Sequence, residues 1–278
     1  MTLIEFDAHQ RQKLAGLFTG HLGGFVPNSI LDGSMGRAFA DQEYAQFAIL
    51  QLPNAKVSIL GGDSSHPLAH EYLKTLPRFT QLFTTSPGFA VLANHVHPRE
   101  WIELKRFAFS TEQLDIAKLH GFKTHIAAGF HVVKIDVALA KQFFEHKNRF
   151  AAAHGMNFDS PEDFVARGFG YCALDGSNPV CVASSFVVCQ KGVEIQIDTK
   201  KNYQGRGLAT AVAATMIIHC LENNIIPGWD AATQISVRLA EKLGFTPQGE
   251  YTMLVFTGSR LLVALRNSIH KVRRMLKK

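Results

Sequence analysis

The stretch with the clearest chemical potential runs from Asp198-Thr199 through a polar segment to Gln204-Gly205-Arg206-Gly207, where a glycine-rich turn opens an Ala-rich helix from about Leu208 to Glu222. The residues before it, Val193 to Thr199, alternate as a strand does. A strand, a loop and a glycine turn at a helix start together make an anion site. The first N–H groups of the helix have no partner inside it, the helix dipole adds partial positive charge, and glycine lets a phosphate approach the backbone. The expected ligand is a phosphorylated cofactor. The spacing is not G-x-G-x-x-G after a first parallel strand, and G-x-x-x-x-G-K-[ST] does not occur, so dinucleotide and Walker-type nucleotide sites are set aside.

Gln204-Gly205-Arg206-Gly207-Leu208-Ala209 fits Gln/Arg-x-x-Gly-x-Gly/Ala, the pyrophosphate loop of the GNAT superfamily, at every fixed position. The resemblance extends through VEIQIDTKKNYQGRGLATAVAA, PGWDAATQISVRLAEKLGF and GEY. This combination is similar to the GNAT subgroup that includes the zwittermicin A resistance acetyltransferases, over residues 160 to 256, with Gly36 to Asp63 loosely similar to that group's N-terminal lobe. The resemblance implies an acyl-CoA-dependent N-acyltransferase that moves an acetyl or other short acyl group to a primary amine on a small molecule or peptide. The implied cofactor is acetyl-CoA or another acyl-CoA. Its pyrophosphate would rest on Gly205, Arg206, Gly207, Leu208 and Ala209, with Gln204 and Thr210 completing the loop. Ile197, Asp198 and Thr199 would offer backbone to the pantetheine arm. Family members often place an Asn three residues before a helix Ser near that arm. Here the pair is Thr233 and Ser236, which implies a weaker pantetheine contact.

Such a transfer needs a base for the amine, N–H groups near the thioester carbonyl, and an acid for the departing thiolate. Glu194, on the strand leading into the loop, is the candidate base, because many GNAT enzymes carry a functional glutamate there. Alternation also puts Glu194, Gln196 and Asp198 on one face, so a merely solvated face is the competing reading. For the acid, the tyrosine common in the family would stand four residues before the helix-ending Gly-Phe, where this chain has Ala240. Tyr251 and Ser236 remain as candidates, and a CoA thiolate can also leave without a dedicated acid.

Other constellations are weaker. His66-x-x-x-His70 and His95-x-His97 with Glu100 have spacings that ligands can use, but Pro67 and Pro98 interrupt them and no H-E-x-x-H occurs, so no metal is expected. Ser64-Ser65-His66 lacks a nucleophile elbow. Trp229-Asp230 reads as a core anchor followed by a helix cap rather than an amine-binding pair.

The elements that must position these groups make an α/β chain with a mixed sheet, an α+β arrangement. Residues 1–125 read as an N-terminal α/β lobe of related or degenerate architecture. It has strands within 37–63, a helix over Pro67 to Leu76, short strands at Leu82 to Thr85 and Phe89 to Ala93, and a helix over Thr111 to His120. Residues 126–257 read as the acyltransferase domain. A strand from His131 to Val137 precedes a helix from Ala138 to Phe150, with Leu139, Phe143, Phe144 and Lys147 near one face. Ser160-Pro161-Glu162-Asp163 starts another helix. A meander follows over Gly170 to Leu174, Val180 to Cys189 and Val193 to Thr199. After the Ala-rich helix come a short strand near Trp229, a helix from Thr233 to Leu243 stopped by Gly244, and a strand over Thr252 to Phe256.

The net charge of +6 is concentrated at one end. Residues 258–278 hold seven Lys and Arg and no acid, which leaves 22 basic and 23 acidic residues elsewhere and a formal charge of −1. Leu261, Leu265, Ile269, Val272 and Leu276 form one helical stripe in this tail, a basic amphipathic helix. The stripe lacks Trp and Phe, so packing on the protein's own body or on a second copy, as a homodimer, is expected ahead of a membrane surface. Nucleic acid is not an expected partner, the tail alone pointing to it. No apolar run is long enough for a bilayer span, and MTLIEFDAHQ has no basic stretch followed by an apolar run, so the expected compartment is the cytoplasm. Cys172, Cys181, Cys189 and Cys220 show no C-x-x-C spacing and read as reduced core thiols. The alternative to an enzyme is a catalytically silent acyl-CoA-binding module whose N-terminal lobe binds a ligand or protein.

Overall fold

The computed structural model describes residues 2–20, 24–145, 150 and 153–275. Two compact units divide the chain: one takes 1–21, 30–105 and 251–278, the other 22–29 and 106–250. Each therefore draws on sequence from both sides of position 125. The fold is mixed α/β, and both units combine parallel with antiparallel strands.

In the first unit, strands Ile4–Phe6, Arg37–Ala40, Phe47–Leu52 and Val57–Gly62 form an antiparallel meander. Gln81–Thr84 then lies parallel to Val57–Gly62, a pairing that needs a crossover. Helix Pro67–Lys74 supplies it, started by Pro67 and by the His66 ring, whose Nδ1 accepts from the Leu68 N–H at 3.3 Å. Leu254 and Val255 of strand Thr246–Phe256 pair antiparallel with Gln81–Thr84. Phe47, Ile49, Leu60, Leu73, Leu82 and Phe89 lie at the centre of the core. The short strand expected at Phe89 to Ala93 is instead part of helix Pro87–Val96. Ser86-Pro87 is a helix start, and it outweighs the β-leaning composition of the following residues.

In the second unit, Phe130–Lys134, Gly170–Asp175, Asn178–Val188 and Gly192–Thr199 form the expected meander. Helix Leu208–Glu222 crosses over to Ile226–Gly228, which returns parallel to the start of Gly192–Thr199. Ala211, Ala213 and Ala214 are fully buried beside Val212, Met216 and Ile217, because strands of the sheet and the helix at 116–124 both pack closely against them. The helix expected over Thr111 to His120 begins later, at Ile116–Thr124, where Asp115 caps it through the Ala117 N–H at 2.8 Å. Helix Val137–Phe144 replaces the longer one expected, and Lys147 of its expected face lies outside the described residues. Strand Trp101–Ser110, which had no counterpart in the sequence reading, pairs through Ala108 and Phe107 with Asp230–Ala231. Charged Glu103, Lys105 and Arg106 break up its apolar pattern. Helix Gln234–Leu243 is capped by Thr233 and stopped by Gly244 in the left-handed conformation. The cap expected from Asp230 is thus supplied by Thr233.

The C-terminal helix spans Arg260–Met275. Leu261, Leu265 and Ile269 are 68%, 52% and 53% exposed, so this part of the stripe does not pack on the protein's own body as expected. Periodicity defines an apolar face without defining what covers it. Among the described residues, no helix is long and apolar enough to cross a membrane.

Candidate active site

Strand Gly192–Thr199 and helix Leu208–Glu222 are joined by a loop that becomes one wall of a groove of about 580 Å³. Ile197, Asp198, Thr199, Gln204, Gly205, Gly207, Leu208, Ala209 and Thr210 all line it. The other wall comes from helix Gln234–Leu243 and its cap, through Thr233, Ile235, Ser236, Leu239 and Lys242. Gly205 and Gly207 have φ of +78° and +77°, a region that costs other residues about 1 kcal/mol or more. A Cβ at either would meet nothing within 4 Å, so both glycines turn an open side outward. Gly207 is the N-cap and offers no side chain to the helix start, and no acid stands in the first turn. The N–H groups of Leu208, Ala209 and Thr210 therefore keep their capacity to bind an anion.

The side chains of Gln204, Arg206 and Tyr203 stiffen this loop. The Gln204 amide donates to the Thr199 carbonyl at 3.1 Å, tying the loop to the strand end. The Arg206 guanidinium lies over the Tyr203 ring and donates to the Asn202 carbonyl at 3.3 Å, while the Tyr203 hydroxyl donates to Asp175 at 2.8 Å.

The strand beside the loop splits from its neighbour. Gly192, Val193 and Glu194 pair with Ile226, Pro227 and Gly228, and the next strand residues, Asp230 and Ala231, pair instead with Ala108 and Phe107. Among the described residues, positions 195–199 have no strand on that edge. On the opposite edge the register shifts between Glu194 and Ile195, leaving Phe186 as the extra residue of a bulge. A bulge bends and twists a strand, which helps the split. Backbone groups at Ile197 and Asp198 are consequently offered to the groove.

Glu194 sits at the branch point and is 5% exposed, which removes the solvated-face reading for this residue. Its Oε2 accepts from the Phe25 N–H at 2.9 Å, while Oε1 is buried without a hydrogen bond of ordinary geometry. Space for the carboxylate depends on glycine. A Cβ on Gly24 would come within 2.1 Å of Oε2, and one on Gly228 would meet the Phe25 ring at 2.5 Å and Oε2 at 2.8 Å. Burial pushes the carboxyl up to about 8, and the negative charge of Asp230 adds to this. The Phe25 N–H, the Arg106 charge and the Asp230 backbone oppose it without cancelling it. Asp230 is itself held by Arg106, whose Nε donates to Oδ1 at 2.7 Å.

Below the strand lies a buried histidine. His154 Nδ1 and the Ser184 hydroxyl are 2.7 Å apart, and Nε2 is 3.6 Å from Asp198 Oδ2. Burial lowers His154 to about 3, so the ring is neutral. Ser184 is fully buried and cannot serve as a nucleophile despite the Ser-His-Asp composition.

Ser236 lines the groove, and its hydroxyl accepts from the Trp229 indole N–H at 3.2 Å. Tyr251 belongs to the other compact unit, with its ring 6.1 Å from Phe83. Sequence reasoning missed Gly24, Phe25, Arg106 and Gly228 around Glu194. The Gly23-Gly24 pair in the sequence is a turn signal that the sequence reading did not use, and nothing in it points to a residue 169 positions after Phe25. Of the other histidine pairs, His66 caps a helix, while His97 Nε2 bonds the Leu73 carbonyl at 2.9 Å and its ring packs on Phe256. Cys172, Cys181 and Cys220 are buried free thiols, each pushed up to about 12 by burial.

A family model described as GNAT acetyltransferase matches residues 16–254. The uncharacterized N-acetyltransferase YdfB of Bacillus subtilis is 27% identical over 237 residues, which cover 81% of this chain and 87% of YdfB. The crystal structure of a GCN5-related N-acetyltransferase-like protein from Streptococcus suis is 25% identical with a TM-score of 0.80, covering 90% of this chain and all of that one. A GCN5-related N-acetyltransferase from Kribbella flavida shares the fold at 11% identity and a TM-score of 0.54, over 92% of this chain and 98% of its own.

Proposed function

The chain belongs to the GNAT acetyltransferase family, and from that premise we propose that it transfers an acetyl or short acyl group from CoA to a primary amine, with Glu194 as the base. The observation that carries the reading is a buried carboxylate with one oxygen lacking a hydrogen bond of ordinary geometry, on the same strand as the groove and at the point where that strand parts from its neighbour. The groove residues fit the CoA moiety: uncapped N–H groups and two open-sided glycines suit a pyrophosphate, and the unpaired edge at 195–199 suits an amide-bearing arm. Bound acyl-CoA supplies an acyl group activated as a thioester.

The chain's own residues then divide the remaining work. Gly205, Arg206, Gly207, Leu208 and Ala209 hold negative charge through backbone, and Gln204 fixes the loop that presents them. Thr210, Thr233 and Ser236 form the rest of the wall. With a pKa near 8, Glu194 is ionised in about one molecule in ten at pH 7. Its basicity suits it to take a proton from an ammonium group, directly or through water. Ser236 and Tyr251 remain the proposed proton donors to the leaving sulfur. Within the family we favour the subgroup that includes the zwittermicin A resistance acetyltransferases, on the motif stretches quoted above, and the cytoplasm as the compartment.

The test is incubation with acetyl-CoA and a panel of small-molecule and peptide amines, following free CoA thiol and the mass of the products. Amine-dependent thiol release with a matching acyl adduct is expected. Tight CoA binding with no thiol release from any amine would favour the silent binding module.

A further inference from the structure

The C-terminal helix is not needed for the family match, which ends at residue 254. Its stripe is nonetheless laid out on the outside of the protein: Leu261, Leu265 and Ile269 are more than half exposed and Leu262 is 39% exposed. The segment 258–278 carries seven positive charges and no negative one, on a protein whose remainder is −1. A helix of 16 residues is about 24 Å long, enough to lie along an interface and too short and too charged to span one.

We propose that this helix docks in the plane of an anionic lipid bilayer, burying its Leu and Ile face among acyl chains while its Lys and Arg residues meet acidic headgroups. Charge chooses among occupants. A second copy of the helix would bring five Lys and Arg residues against five, which salt screens only in part. Nucleic acid would satisfy the charge but leave the leucines in water. An anionic bilayer takes both at once, since apolar burial and electrostatic attraction add on the same helix. The lack of Trp and Phe sets the strength rather than the choice, giving reversible attachment instead of a permanent anchor. The inference is independent of the acyl-transfer reading.

The experiment is flotation of the full-length protein with phosphatidylcholine vesicles, with and without phosphatidylglycerol, at physiological salt. Binding should be at least about tenfold greater with phosphatidylglycerol. It should fall to the phosphatidylcholine level in two double variants, Leu265→Glu with Ile269→Glu and Arg266→Glu with Arg273→Glu. Thermal melting of the variant with Leu265→Glu and Ile269→Glu should match the parent, because both side chains are more than half exposed. Three results would overturn the proposal. One is equal or absent binding to the two vesicle types. Another is a concentration-dependent dimer abolished by Leu265→Glu with Ile269→Glu. The third is salt-sensitive retention on RNA that this apolar variant leaves intact.

Discussion

The loop at Gly205 to Ala209 and the niche around Glu194 lie in one compact unit, and they treat negative charge in opposite ways. The loop offers several backbone N–H groups and two open-sided glycines, with no acid in the first turn of the helix it opens. The niche gives a buried carboxylate one well-formed N–H bond, from Phe25, and sets a second carboxylate nearby on Asp230. Glycine serves both, by opposite means. In the loop it clears room for an incoming anion, and in the niche Gly24 and Gly228 clear room for a side chain already present. A site that stabilises charge is suited to holding a phosphorylated molecule. One that resists charge is suited to exchanging a proton. A single strand, Gly192–Thr199, connects the two.

Three changes would break or sharpen that contrast. The largest effect is expected from Gly207→Glu, which puts a side chain at a φ of +77° and an acid where the loop receives an anion. Saturable CoA binding should vanish in calorimetry while the protein stays folded by circular dichroism. Unchanged affinity would mean that the groove is not the CoA site.

Glu194→Gln comes next and should leave CoA affinity within a few-fold of the parent while turnover falls by about two to four powers of ten. The parent's turnover should rise with pH and level off above about 8, as the buried carboxyl ionises. A variant that keeps both the rate and the pH profile would make Glu194 a buried structural residue and put the base elsewhere.

The smallest effect is on stability. Burial raises Glu194 from its ordinary value of 4.5 to about 8 in the folded chain. Its contribution is therefore fully present below pH 4.5 and is lost as pH rises through 8. At about 1.4 kcal/mol per unit, the loss is of the order of a few kcal/mol. Melting temperatures of the parent and Glu194→Gln, compared from pH 4.5 to 9, should diverge in favour of the variant as pH rises. A constant gap would mean that the carboxyl is already charged in the folded state. His154 has the opposite slope: held neutral down to about 3, it costs stability as pH falls below 6.5.

How much of this was legible in the sequence follows from the distance over which each part is assembled. The loop was readable because its residues are contiguous and its glycines answer to a local rule about positive φ. Helices Leu208–Glu222 and Gln234–Leu243 were readable because their start and stop residues, Gly207, Thr233 and Gly244, lie at their ends. The niche was not, since Phe25, Arg106, Gly228 and Glu194 are brought together by strand register and by a short segment far upstream. Alternation gave the face of Glu194 correctly but not its burial, because one face can run from the interior to the solvent along a single strand. Asp198, four residues on, has 53% of its side chain exposed. Strand Trp101–Ser110 escaped notice for a related reason: its charges hide the period, and Arg106 is there to hold Asp230.

Each compact unit is closed by pieces from distant parts of the chain. The first includes 251–278, and the second borrows 22–29, the segment that carries the one well-formed hydrogen bond to Glu194. No single cut in the gene yields either unit whole. An upstream half could not be lost, swapped or duplicated without removing the residues that set the carboxylate's chemistry in the downstream half. Any single cut between positions 25 and 194 therefore parts the proposed base from the N–H that bonds it.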